Sequence, residues 1–292
     1  MSHNRRTFLK AAAGFAAAGA MAEAQAKFDK PIGVQLYTVR RQMVHDADHI
    51  LARIAEIGYT EVEGLEGDME RIRPLLEKYR LKCVSVHFDT GLVTGHRDAH
   101  SSLPASYTWD DAIRDAKSWG LEYMVIPYLP EPQRADFAGF VDQLNKAGEK
   151  CNNAGLSLCY HQHAFEFGGE AGHRPIDIFF EKSNPKFVSL ELDVFWVSVS
   201  GNDPVEMIKR HGNRIRQIHL KDKAKGTAVM AGEGVRREDF KEVGNGVLDF
   251  PAILRAAEAA NVSQYYVEQD QTAGDPLDSL AQSYHFLRSV TL

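Results

Sequence analysis

From about residue 30 onward the chain repeats one pattern eight times: a short β-branched or apolar run, then a segment with helical spacing. The runs are 32–37, 60–64, 83–88, 123–127, 157–163, 187–193, 215–221 and 265–268. Helical spacing is clearest over 49–57, 111–119, 135–153, 204–210 and 251–260, and Gly58, Gly120, Gly155 and Gly212 stand where helices end. Strands that alternate with helices make a parallel sheet, and eight such units in about 250 residues predict a closed (β/α)8 TIM barrel. A doubly wound sheet needs fewer strands and a glycine-rich phosphate turn after the first, and no such turn is present. No Pro/Ser-rich linker divides the pattern, so residues 27–292 are expected to form a single domain. The longer connection at 223–246, after the seventh run, is a candidate lid.

Residues 1–26 read as an address rather than as part of this fold. Arg5-Arg6-Thr7-Phe8-Leu9-Lys10 precede an Ala/Gly-rich stretch and the small-x-small site Ala24-Gln25-Ala26, a pattern that resembles a twin-arginine signal peptide. The resemblance implies export to the periplasm. The whole chain carries a net charge of −6; residues 1–26 hold Arg5, Arg6 and Lys10 against Glu23, a net +2, so the remainder carries −8. That acidity argues against nucleic acid as a partner, and no run is long and apolar enough to span a membrane. Three cysteines without a CxxC pattern give no redox motif, and Cys83 and Cys159 lie in apolar runs where buried free thiols are expected.

In a TIM barrel the active site forms at the carboxyl ends of the strands. Several runs here end in residues unsuited to an apolar core: Val86-His87-Phe88-Asp89, Cys159-Tyr160-His161-Gln162-His163, Leu190-Glu191-Leu192-Asp193, Ile218-His219-Leu220-Lys221-Asp222 and Val267-Glu268-Gln269-Asp270. Alternation places His161 with His163, Glu191 with Asp193, and His219 with Lys221 on common faces. Taken singly, such residues often have structural roles: Glu191 is read as a structural acid, and Asp222 and Asp270 as loop caps. Together, ionised groups converging on one barrel mouth need a cation to offset their repulsion and desolvation, so Asp193, His219, Glu268 and a fifth-run histidine call for one divalent metal ion. Carboxylate and imidazole ligands without thiolates suit Mn2+, Mg2+, Co2+ or Zn2+, with Mn2+ favoured by the share of hard oxygen donors.

The runs Gly33-Val34-Gln35-Leu36-Tyr37, Tyr160-His161-Gln162-His163, Leu192-Asp193, His219-Leu220-Lys221-Asp222, Gly244-Asn245-Gly246 and Val267-Glu268 resemble, in order and spacing, the xylose isomerase-like TIM barrels of the sugar phosphate isomerase/epimerase type. The resemblance covers roughly residues 30–290. It implies a divalent ion held by four strand-end ligands, commonly Glu, Asp, His and Glu, that bridges a carbonyl and a neighbouring hydroxyl of a keto-sugar. Asp193, His219 and Glu268 match the last three. In place of the first glutamate stand His161 and His163, with Glu166 the nearest acid; His163 is assigned as the fourth ligand, with His161 and Glu166 as alternatives. This departure disfavours an epimerisation between two opposed glutamates. The Tyr-His-x-His pattern resembles instead the inosose dehydratase and 3-keto-glycoside-processing branches.

The expected chemistry is proton abstraction next to the carbonyl of a small-molecule sugar, leading to isomerisation, epimerisation or elimination. Candidate catalytic residues are Glu268, Glu166 and His161, and candidate substrate contacts are His87, Lys221, Trp196 and Tyr37. The late loops lack a phosphate cradle beyond Arg236-Arg237, so an unphosphorylated keto-sugar or 3-keto-glycoside is expected. Two other readings are a sugar-binding barrel without catalysis and a metal-dependent endonuclease of the same fold, which the acidic charge disfavours. The Gly244-Asn245-Gly246 element is a candidate either for closing over the site or for reaching a second subunit of a homo-oligomer.

Overall fold

The computed structural model describes residues 26–97 and 103–292; the expected signal peptide lies outside them apart from Ala26. Eight strands form the barrel: β1 Gly33–Gln35, β2 Glu61–Leu65, β3 Lys82–His87, β4 Tyr123–Ile126, β5 Ser157–His161, β6 Val188–Asp193, β7 Ile215–Leu220 and β8 Gln264–Val267. They pair in parallel and close in the order β1-β8-β7-β6-β5-β4-β3-β2. Helices fill the crossovers, among them Arg40–Ile57, Phe137–Asn153 and Phe250–Ala259, which gives the (β/α)8 TIM barrel anticipated from the alternation.

Strand periodicity decides what each face holds. Val62, Val86, Met124, Leu158, Leu190 and Ile218 point outward into one apolar core shared with the helices. The intervening residues point into the barrel, where Glu63, Ser85, His161, Glu191, Gln217 and His219 are all buried. An apolar outer face thus leaves the inner face free to carry chemistry. Among the described barrel pairs the register slips at two places, between Val62 and Glu63 against β3 and between Leu190 and Glu191 against β7. Each slip skips one residue of the neighbouring strand, so that Glu63 stands beside Ser85 and Glu191 beside Gln217.

Two local outcomes differ from the pattern read in the sequence. The helix expected from residue 49 starts at Arg40 but is interrupted at Asp46, whose carboxylate accepts from the His49 amide at 3.0 Å and so restarts the helix at the expected place. Gly58, Gly120 and Gly155 close their helices with positive φ, whereas Gly212 has φ −55°. The chain needs glycine there for a different reason: a Cβ would come within 2.5 Å of the Ala260 Cβ on the neighbouring helix end. The Gly244-Asn245-Gly246 element is anchored to Asp222 of its own chain. Asp222 accepts from the backbone amides of Lys223, Gly244, Gly246, Val247 and Leu248 at 2.7–3.1 Å, pinning both ends of the candidate lid. Inside that lid, Asp222–Lys223 pairs antiparallel with Phe240–Lys241. Cys151 and Cys159 are buried free thiols and Cys83 is half-buried. Among the described residues no helix is long and apolar enough to cross a membrane.

Candidate metal centre

The carboxyl ends of the strands open on a cavity of about 730 Å³ lined by His87, His161, His163, Trp196, Lys221 and Glu268 among others. Of that lining, His161 and Glu268 join the fully buried Asp193 and His219 in a quartet in which each presents one donor atom, and these atoms all lie within 4.8 Å of one another. All four residues are buried. Asp193 sits where β6 becomes the short helix Val194–Val199, and its Oδ1 caps that helix by accepting from the Phe195 and Trp196 amides at 2.8 and 3.1 Å. Its Oδ2 accepts no hydrogen bond among the described residues, although the Lys221 ammonium lies 3.0 Å away. Lys221 donates to Asp270 Oδ1 at 2.7 Å and stands 2.7 Å from Glu268 Oε2.

Beneath this quartet lies a second layer of ionisable groups. Glu191 Oε2 lies 3.0 Å from His161 Nδ1, 3.1 Å from His87 Nε2 and 3.3 Å from His219 Nε2. Glu63 Oε2 lies 2.7 Å from His219 Nε2 and 3.1 Å from His87 Nε2, and it accepts from the Gln35 amide at 2.9 Å. Ser85 Oγ donates to the other Glu63 oxygen at 2.5 Å. The His219 ring turns its remaining nitrogen, Nδ1, to Glu268 Oε2 at 3.0 Å, and His161 turns Nε2 toward Asp193 Oδ2 at 3.8 Å.

The electrostatics follow from this nesting. Burial alone would raise the Glu63 carboxyl, but the His87 and His219 rings outweigh it and hold it well below the usual range. Glu191 likewise falls to about 2, because His219 and His161 overcome burial and the repulsion of Glu63. Burial opposes a charged His87, yet Glu63 and Glu191 lift its pKa to about 9. For His219 burial is again outweighed, by Glu191, Glu268 and Glu63, which raise it well above the usual value. His161 goes the other way: burial and the neighbouring His219 drive it well below, so its ring is neutral. Glu268 is held well below the usual range by Lys221 and His219 against burial, while burial pushes Asp270 up to about 6.

These groups fit a divalent cation. The carboxylates of Glu63, Glu191, Asp193, Glu268 and Asp270 face the Lys221 ammonium and the His87 ring, and with His219 neutral, as a ligand must be, the cluster keeps an excess of negative charge for a dication to offset. Two imidazole nitrogens and two carboxylate oxygens, one of them lacking a hydrogen bond, are the donors such an ion takes.

Of the residues singled out in the sequence, the structure brings Asp193, His219 and Glu268 together and joins His161 to them. His163 is not a member of the quartet, although its ring lies 5.0 Å from that of His161: β5 ends at His161, and Gln162 breaks the alternation by exchanging hydrogen bonds of 2.9 and 3.1 Å with the Asp193 backbone. The His163 ring sits 5.2 Å from Trp196 on the cavity wall. Glu166 is turned away from the cavity, accepting from the Tyr160 hydroxyl at 2.5 Å and the His163 amide at 2.9 Å, and burial pushes it up to about 8. His87 and Trp196 line the cavity, and Tyr37 stands at its rim beneath the Arg40 guanidinium, 3.7 Å from the ring centre. Lys221 also lines it, but three carboxylates hold its ammonium. Glu191, read as a structural acid, meets the rings of His161, His87 and His219. Glu63 went unnoticed in the sequence, although an acid within the apolar second run was a signal. The candidate lid reaches the cavity through Glu233, Val235 and Phe240, and Glu233 is tied to Arg134 at 2.9 Å and to the Tyr128 hydroxyl at 3.1 Å.

The sequence model of the xylose isomerase-like TIM barrel family matches residues 51–290. An inosose dehydratase of Mesomycoplasma hyopneumoniae is 30% identical over 268 residues, which cover 83% of this chain and 88% of that relative. An inosose dehydratase of Geobacillus thermodenitrificans is 30% identical over 160 residues, a stretch covering 51% of this chain and only about half, 53%, of the relative. Among solved structures, a sugar phosphate isomerase/epimerase from Parabacteroides distasonis is similar in fold with a TM-score of 0.72 at 22% identity, covering 88% of this chain and 97% of that one.

Proposed function

Because the chain belongs to the xylose isomerase-like TIM barrel family, we propose that it is a divalent-metal-dependent enzyme that removes a proton next to the carbonyl of an unphosphorylated keto-sugar or 3-keto-glycoside. The observation that carries this reading is the buried quartet His161, Asp193, His219 and Glu268, of which His161 and Glu268 line the cavity. The dehydratase names of the relatives favour elimination of water over isomerisation or epimerisation. Mn2+ is the ion we assign, on the hardness of the carboxylate donors. The Arg5-Arg6 pair and the Ala-rich stretch behind it support export to the periplasm.

Residues with distinct duties surround the reacting carbon in this reading. A bound divalent ion supplies Lewis acidity at the substrate carbonyl. Glu268 is the base: Lys221 holds its Oε2 beside the cation site, which leaves Oε1 to take the proton from the neighbouring carbon. His87, clamped through Nε2 by Glu63 and Glu191, lines the cavity and supplies a proton to the departing hydroxyl, which leaves as water. Trp196 offers an apolar wall to a sugar face, and Phe240 with Glu233 of the lid limits the entry of water.

The test is solvent deuterium incorporation beside the carbonyl, followed by NMR with keto-sugars and 3-keto-glycosides, for the metal-loaded wild type and Glu268→Gln. The wild type should exchange or eliminate, and the variant should lose the reaction while still binding sugar. Sugar binding by the loaded wild type without exchange or product on any of these compounds would overturn the proposal and leave a binding barrel.

A further inference from the structure

The quartet can bind an ion only if each histidine offers a lone pair rather than an N–H to it, and an isolated imidazole does not fix which nitrogen carries the proton. The second layer resolves this for both rings at once. Glu191 Oε2 faces Nδ1 of His161 at 3.0 Å, and Glu63 Oε2 faces Nε2 of His219 at 2.7 Å. Opposite nitrogens of the two rings therefore remain for the cation site, Nε2 of His161 and Nδ1 of His219, and these are the atoms turned toward Asp193 and Glu268. Both carboxylates sit at the two places where the barrel register slips. Such irregularities cost ladder pairing and re-aim side chains, so their coincidence with Glu63 and Glu191 is a second, backbone-level sign of a fitted pair.

We propose that Glu191 and Glu63 are positioning residues that set the tautomers of His161 and His219 for metal binding, with His87 as a shared bridge between the two carboxylates. The inference rests on the quartet as the cation site. A rival assignment treats His87, His161, Glu191 and His219 as ligands of an ion of their own. Two ions at once would require both histidines to bind through both nitrogens as bridging imidazolates, which the protons of the carboxylate-facing nitrogens oppose.

The test uses the full chain with Co2+ alone as probe, measuring affinity by calorimetry and the visible absorption of the bound ion, and thermal melting without metal. Glu191→Gln and Glu63→Gln keep size but let an amide N–H face the histidine and reverse its proton. Each is expected to weaken Co2+ binding by about 10- to 100-fold and to alter the ligand-field spectrum. Glu61→Gln, a buried acid on β2 that faces neither histidine in the arrangement above, should leave both unchanged. If one of the two variants fails to fold, the other carries the test. Wild-type binding with unchanged affinity and spectrum in the folded variants would overturn the positioning role and leave the quartet intact. Two Co2+ equivalents in the wild type, one of them lost in Glu191→Gln, would also overturn it, because Glu191 would then be a ligand. Failure of the wild type to bind any Co2+ would overturn the quartet itself.

Discussion

At the end of β6 and just past β7 the barrel buries an aspartate, and the two regions use theirs in opposite ways. Asp222 spends both oxygens on five backbone amides at the base of the lid. Asp193 commits one oxygen to capping a helix and leaves the other without a hydrogen bond, facing His161 and Lys221. A saturated buried carboxylate stabilises its surroundings, whereas one with an unused oxygen carries a desolvation cost that a ligand can offset. The difference separates structural acids from chemical ones in a cluster where residue type alone does not.

The strongest way to break this comparison is Asp193→Asn. The amide oxygen can still cap the helix, so the fold should survive, while divalent-ion affinity should fall by about 1,000-fold or more, roughly 4 kcal/mol. Calorimetric titration beside a thermal melt checks both halves. Asp222→Ala should show the reverse: a stability loss of about 3 kcal/mol or more by chemical denaturation, because several amides lose their acceptor, with ion affinity retained wherever the variant is folded.

A third contrast uses pH. Glu166 ionises near 8 in the folded protein against 4.5 for the free side chain. Between those values the folded state binds more protons than the unfolded one, so its contribution is fully present below about pH 4.5 and is lost as pH rises through 8. Glu166→Gln, which can still accept from Tyr160, should therefore gain melting temperature relative to wild type between pH 6 and about 8.5. Parallel melting curves across that range would show that Glu166 does not titrate as its burial implies. The smallest effect is expected at the lid. Glu233→Gln weakens a partly exposed pair with Arg134, costing under about 1 kcal/mol, and its trace should be a raised KM with little change in melting temperature.

How far the sequence reaches can be seen residue by residue. All eight strands were legible, because an outer face packed on helices demands apolar residues wherever the barrel demands closure. Asp193, His219 and Glu268 were legible because each interrupts such a run at the end where TIM barrels do chemistry. The choice between His161 and His163 was not: both fit one face, and only the turn made by Gln162 shows that alternation stops at His161. Glu191 was legible as an acid and Glu63 was passed over, but the duties of both were hidden for a related reason. Their partners lie across or around the barrel, on β3, β5 and β7, and strand spacing says nothing about what a side chain meets there. Gly212 was read as a helix stop from its position, whereas the packing of a distant alanine is what requires it.

The most direct test of the account is the divalent-metal content of the purified protein by elemental analysis, measured beside His219→Ala after incubation with Mn2+. The account predicts close to one equivalent in the wild type and almost none in a folded His219→Ala. A folded wild type that takes up no Mn2+, Mg2+, Co2+ or Zn2+ would contradict it.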